Sequence, residues 1–148
     1  MRDDLPLSVT LEVKETCLCM RVQRAARALA RRFDHALKPV GLTHGQFSVL
    51  MSLNRPYPPL LTEVSDLLGM DRTSLTAKLK ALQTRGLIKT ETDPGDKRVR
   101  RLALTEAGED LLIEAVPIWR QTHQELDNSI EGVEQTDLKS DLDQLAGL

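Results

Sequence analysis

Between Asp71 and Thr84 the chain reads Asp-Arg-Thr-Ser-Leu-Thr-Ala-Lys-Leu-Lys-Ala-Leu-Gln-Thr, and after Asp71 this stretch holds no acid. On a helix, Leu75, Leu79 and Leu82 form one apolar stripe. The opposite face presents Thr73, Ala77, Lys80 and Thr84, flanked by Ser74 and Thr76. Small side chains let a backbone approach base edges, and an Ala or Thr methyl can touch the methyl group of thymine. Lys78 and Lys80 suit phosphate oxygens, and Arg72 at the helix start suits either target. Further on, Asp96-Lys97-Arg98 precedes Arg100 and Arg101. An arginine at a hairpin tip can enter a minor groove, where negative potential is concentrated, and an aspartate two residues earlier can orient its guanidinium. Asp96, Lys97 and Arg98 therefore join the candidate set, and the chemistry is noncovalent recognition of double-stranded DNA.

Other chemistries fit poorly. The histidines are His35, His44 and His123, and the cysteines are Cys17 and Cys19. Two residues apart on a helix, the cysteines point about 200° apart. They cannot chelate one ion together, or form a disulfide without unwinding the helix. No His-x3-His pair exists, and neither a metal nor a cofactor is expected. The sequence lacks a nucleophile elbow, a phosphate loop and an HExxH motif. The Glu109-Asp110 carboxylates fall on a solvated acidic helix face, so no enzyme is expected. A helical protein-interaction module is the alternative of another class. It accounts for the helical ends of the chain but not for the Thr/Lys face and the arginine-tipped hairpin.

Charge is segregated along the 148 residues, although the net value is only -2. Residues 1–69 hold nine Lys and Arg against seven Asp and Glu. Residues 70–101 hold nine against four, and residues 102–148 two against eleven. A basic middle before an acidic tail suits one surface meeting phosphate while the other end does different work. Aromatic residues are 3% of the chain, too few for the stacking platforms that bind single strands. Met1-Arg-Asp-Asp leads into no apolar run of signal-peptide kind, and no stretch is long enough to span a membrane. A cytoplasmic protein with no membrane partner is the expectation.

The elements that position these residues follow from periodicity and caps. Leu11 to about Lys38 reads as one helix, stopped by Pro39 and Gly41. Its N-terminal half is apolar on two faces, which points to a partner chain, and Arg24, Arg27 and Arg31 continue one of those stripes. Thr43-His-Gly-Gln46 is a capping box opening a second helix. Thr62 can cap a short third helix ended by Gly69, and Asp71 or Thr73 a fourth, running to Arg85 and Gly86. Leu87–Thr92 and Arg98–Leu104 read as a hairpin around the turn Asp93-Pro-Gly-Asp96. Thr105 caps a long helix to about Asn128, which Pro117 should kink or interrupt. A last helix from about Glu134 to Ala146 carries Leu138, Leu142 and Leu145 on one face. The predicted fold is mainly α with a small β-wing: a winged helix-turn-helix between long N- and C-terminal helices.

The string from Asp96 to Gly108, Asp-Lys-Arg-Val-Arg-Arg-Leu-Ala-Leu-Thr-Glu-Ala-Gly, resembles the D-x-R-x5-L-T-x-x-G signature of the MarR family of bacterial regulators. Asp71 to Lys80, followed by Arg85-Gly-Leu-Ile88, is similar to that family's recognition helix. The resemblance spans nearly the whole chain. It implies a single domain over residues 1–148, with a winged-helix lobe at about 41–104 and dimerisation helices at about 1–40 and 105–148. It further implies an obligate homodimer, a pseudo-palindromic operator, and repression relieved by a small molecule or by oxidation. Arg98 becomes the wing arginine and Asp96 its orienting partner.

Two signals stay open. Cys19 lies 27 positions before Gln46, the placement of the reactive cysteine in the peroxide-sensing branch of the family. That branch has tyrosines around its cysteine, whereas here His44 and Phe47 stand where aromatic partners are sought. The other signal is a small aromatic or carboxylate effector in the cleft between the DNA-binding lobe and the dimer helices, with Arg24, Arg27 and Arg31 as candidate anchors.

Overall fold

A computed structural model describes residue 2 and residues 4–130 and 135–147, with only the backbone of 135 and 136. Glu134, the expected start of the last helix, lies outside the described residues, as do Met1 and Asp3. The elements run α1 (Leu7–Thr16), α2 (Leu18–Leu37), a single 3-10 turn (Lys38–Val40), α3 (His44–Leu53), α4 (Leu61–Leu68), α5 (Arg72–Thr84), β1 (Ile88–Thr92), β2 (Arg100–Leu104), α6 (Glu106–Ser129) and α7 (Gln135–Ala146). The architecture is the expected one, a winged helix-turn-helix between flanking helices.

The local chemistry of the lobe explains its boundaries. The Thr43 hydroxyl accepts the Gln46 N–H at 3.2 Å and the Gln46 side chain accepts the Thr43 N–H at 3.1 Å, the reciprocal capping box that starts α3. The start of α4 differs from expectation. Its cap position is Leu60, whose N–H is taken by the Glu63 carboxylate at 2.6 Å, so Thr62 lies inside the first turn. Gly69 then closes α4 in the left-handed conformation, φ 58°, which a side chain would resist. Asp71 rather than Thr73 caps α5.

The wing strands pair antiparallel, from Ile88↔Leu104 to Thr92↔Arg100. The core is one cluster reaching from Leu37 of α2 through α3, α4 and α5 to Leu112 and Ala115 of α6. Gly108 sits at its tightest point. A Cβ there would come within 2.1 Å of the Leu87 carbonyl oxygen, which itself accepts the Thr105 N–H at 3.1 Å. Thr105 also caps α6, accepting the Gly108 N–H at 3.2 Å, and donates its hydroxyl to the Gly86 carbonyl at 2.6 Å. The Leu-Thr-x-x-Gly string is thus the joint that seats α6 on the root of the wing.

The first helix is a correction. Where one helix was expected from Leu11 to about Lys38, there are two, parted at Cys17, whose ψ of 100° is extended. The Cys17 thiol then caps α2, accepting the Met20 N–H at 3.4 Å. Cys17 and Cys19 are therefore not two positions of one continuous helix. Pro117, by contrast, does not divide α6, which runs unbroken past it. The carbonyl that Pro117 leaves without its helical donor belongs to Ile113, which is exposed. Among the described residues no helix is long and apolar enough to cross a membrane.

Candidate nucleic-acid interface and adjoining cleft

Helix α5 is held from beneath and bare above. Leu75 and Leu82 are fully buried and Leu79 nearly so. Each contributes about 1.5–3 kcal/mol to seating the helix. On the outer side Thr73, Ala77, Lys80 and Thr84 are exposed, with Arg72, Ser74 and Thr76 beside them. The Asp71 carboxylate is occupied by the start of its own helix, accepting the Ser74 N–H at 2.8 Å and the Ser74 hydroxyl at 2.6 Å. Those bonds, led by the Ser74 hydroxyl, hold the carboxyl below its ordinary pKa. The hydroxyls of Thr76 and Thr84 donate into the helix, to the carbonyls of Arg72 and Lys80. Lys78 is set apart from the others. It is half-buried, with its Nζ 3.0 Å from where a Cβ on Gly45 would lie, at the start of α3.

The wing is braced by two residues that sequence reasoning missed. Asp93 accepts the N–H groups of Gly95 and Asp96 at 2.7 and 2.9 Å, and its second oxygen pairs with the Arg101 guanidinium. Arg101 also donates to the Pro58 carbonyl at 2.8 Å, and Leu102 N–H reaches the Pro59 carbonyl at 2.9 Å. The Arg101 pairing, ahead of the backbone bonds, lowers the Asp93 pKa. Arg101, read from the sequence as part of the basic tip, therefore ties the wing to the α3–α4 loop. Arg100 turns to the Thr92 hydroxyl. The Asp96 carboxylate accepts the backbone N–H of Arg98 at 2.9 Å, so its contact shapes the turn and is not made to the guanidinium. Lys97 and Arg98 stand exposed at the tip, with no ion pair among the described residues. Gln83 donates to Thr90 at 3.0 Å, joining α5 to the wing. The structure thus brings Arg72, Thr73, Ser74, Thr76, Ala77 and Lys80 to one helix surface beside a wing ending in Lys97 and Arg98, and sets Lys78 toward α3.

Behind this surface lies a cleft of about 540 Å³ between α3, α4 and α6. Phe47 and Trp119 stack across it with ring centres 6.1 Å apart. Trp119 meets His123 at 4.4 Å, and Phe33 packs against both His123, at 4.8 Å, and His44, at 5.4 Å. Met51, Leu67, Leu68 and Val116 supply aliphatic wall, and Arg120 is the one Lys or Arg among the lining residues. The expected anchors are elsewhere: Arg24 and Arg31 border a separate hollow with Lys14 and Arg21, and Arg27 lines neither. His44 and Phe47 likewise belong to the cleft and not to the surroundings of Cys19, which borders an apolar hollow with Leu142 and Leu145 of α7. In sequence, the signal for this cleft was the placing of four of the chain's seven rings on two helices, His44 and Phe47 on α3 and Trp119 and His123 on α6.

Comparison with known proteins agrees with this geometry. The family model described as MarR family matches residues 40–99. The transcriptional regulator MosR of M. tuberculosis, solved in complex with DNA, is 33% identical with a TM-score of 0.76, covering 88% of this chain and 96% of its own. The transcriptional repressor CouR, bound to a 23-mer DNA duplex, is 32% identical with a TM-score of 0.72, covering 92% of this chain and 94% of its own. A structure of CouR from Rhodococcus jostii RHA1 with p-coumaroyl-CoA aligns at 24% identity, a TM-score of 0.72, and coverage of 88% and 90%.

Proposed function

This chain belongs to the MarR family of transcriptional regulators, and on that premise we propose that it is a homodimeric repressor, released from a pseudo-palindromic operator by a small aromatic or carboxylate ligand. Family and fold are those of DNA-binding transcriptional regulators, not of enzymes. In the proposed complex α5 enters the major groove. Thr73, Thr76 and Ala77 meet base edges there, Arg72 and Ser74 secure the helix start, and Lys80 meets phosphate. Lys78 meets the backbone on the α3 side. Arg98, with Lys97, enters the adjacent minor groove from a turn that Asp96 holds. The operator and its regulator meet in the cytoplasm.

The dimer is supported by apolar surface that one copy leaves bare. Leu7, Val9, Leu11 and Val13 of α1, Leu18 and Val22 of α2, and Leu138, Leu142 and Leu145 of α7 are all more than a third exposed. An isologous contact about a twofold axis would cover the same patch on both copies and space the two α5 helices for half-sites.

The observation that carries the release step is the cleft. It is lined by α3, α4 and α6 together, so an occupant that binds one arrangement of these helices better than another shifts the position of the DNA-reading helix. CouR, one of the similar proteins, has been solved with p-coumaroyl-CoA. The test is a gel shift with DNA from upstream of the protein's own gene. The expected result is a complex that survives excess random DNA and dissociates on addition of an aromatic carboxylate. Equal affinity for random DNA would sink the operator assignment.

A second reading rests on Cys19. It is exposed, and the Gln23 amide donates to its sulfur at 3.3 Å. Attack of its sulfur on the terminal oxygen of an organic hydroperoxide would break the O–O bond, release the alcohol and leave a sulfenic acid beside the apolar α2–α7 hollow. In this reading hydroperoxide releases DNA from the wild type and not from Cys19→Ser, and a reductant restores binding. Equal responses in both proteins would make Cys19 structural.

A further inference from the structure

The cleft combines aromatic walls with two imidazoles carried by different parts of the fold. His44 opens α3 in the DNA-reading lobe, and His123 lies on α6. Both line the cavity, and both pack on Phe33. Resting on the effector reading above, we propose that His44 and His123 are the residues that select anionic effectors, by taking up a proton when a carboxylate enters the cleft.

Charge explains the selection. No Asp or Glu is among the lining residues, and Arg120 is the one permanent cation there. An imidazolium held in an empty apolar cleft lacks solvation and is disfavoured. Burial is accordingly the main cause pushing the His44 pKa below its ordinary value, and the same holds for His123. The groups facing them divide. Asp34 of α2 favours charge on His44, and Lys78 of α5 and His123 oppose it. Asp127 of α6 favours charge on His123, and Lys139 of α7 opposes it. Asp34 is already engaged, accepting the His44 backbone N–H at 2.6 Å. The empty cleft therefore holds neutral rings at neutral pH. A bound carboxylate supplies the missing counter-charge, raises the pKa of the nearer ring, and draws one proton from solvent onto it. A neutral ligand of the same shape draws none.

The sign follows from linkage. Below the empty-cleft pKa the rings are charged with or without ligand, and carboxylate affinity is flat with pH. Between the empty and occupied values, affinity falls as pH rises, by up to about tenfold per pH unit for one proton. Trp119 is the only tryptophan in the chain and lines the cleft, so its fluorescence reads occupancy. The experiment titrates the full-length protein with benzoate and 1-naphthoate, and with their amides, from pH 5.5 to pH 8.5. Calorimetry in phosphate and Tris buffers counts protons. The expected result is tighter carboxylate binding at lower pH, up to one proton taken up per site, and amide binding that ignores pH. Replacing the ring that takes the proton, by His44→Gln or His123→Gln, should flatten the carboxylate curve, the double variant should flatten it whichever ring that is, and amide binding should stay independent of pH in all of them. Carboxylate binding that is independent of pH in the wild type, or a slope that survives in the double variant, overturns the proton link alone. If none of the four compounds perturbs Trp119, the cleft is not an aromatic-effector site, and the release mechanism falls with the proton link.

Discussion

The winged-helix lobe and the helices that flank it solve the same problem in opposite ways. In the lobe, α3 buries Phe47, Val49, Leu50, Ser52 and Leu53 within its ten residues, and its first turn is closed by a reciprocal cap. Helix α1, also of ten residues, buries none and has no side-chain cap. Helix α2 buries only Phe33 and Leu37, at the end that touches the lobe. Every described side chain of α7 is exposed. The lobe can satisfy its apolar and polar groups from within one chain. The flanking helices carry apolar residues that only another surface can cover. The contrast is that the apolar groups of the DNA-reading lobe are covered within one chain, whereas those of α1, α7 and the N-terminal half of α2 are not.

The most severe test of that contrast removes residues 134–148. The expected product is aggregated or unfolded chain, because the apolar faces of α1 and α2 lose their cover. Size-exclusion chromatography with light scattering decides the point, and a soluble, folded, DNA-binding monomer would contradict an interwound dimer. Next comes Gly108→Ala, which puts a methyl group into the Leu87 carbonyl at the joint of lobe and α6. Overpacking of this kind typically costs about 1–3 kcal/mol, and here the obstructing atom belongs to backbone, which cannot swing aside. Urea denaturation should register that loss in the variant's midpoint; an unchanged midpoint would show that the joint tolerates movement.

Smaller effects sharpen the picture on the lobe's outer face. Thr73→Ala and Thr76→Ala should each alter sequence preference at a cost of about 1–3 kcal/mol for a good base contact. Arg98→Ala should weaken operator binding and leave thermal stability alone, since the tip is exposed. Asp96→Ala should do so more mildly, because its carboxylate acts through the Arg98 N–H. Operator affinity unchanged by Arg98→Ala at physiological salt would remove the minor-groove role. The smallest expected change is that of Lys80→Ala. It should weaken specific and random DNA alike and reduce the salt slope by about one. A loss confined to the operator would move Lys80 from phosphate to a base.

What the sequence determined by itself is whatever depends on neighbours a few residues away. The Thr43–Gln46 box, a cap at Asp71 or Thr73, the glycine stop at Gly69 and the Leu75, Leu79, Leu82 stripe are short-range chemistry, so the helix-turn-helix and its outward face were legible, and the structure chose Asp71. The string from Asp96 to Gly108 was legible as a motif, although the reason for its glycine required the Leu87 carbonyl, 21 positions earlier in the chain. Only the tertiary structure decided the rest. It broke the first helix at Cys17, where residues with ordinary helical spacing give no local stop signal. It recruited Arg101 away from the basic tip to Asp93 and the Pro58 carbonyl, and drew Lys78 toward Gly45. It moved the candidate effector anchors from the α2 arginines to Arg120, His44 and His123. Each of these outcomes depends on groups from separate elements meeting in space, and helical periodicity carries no record of which faces the folded chain will bring together.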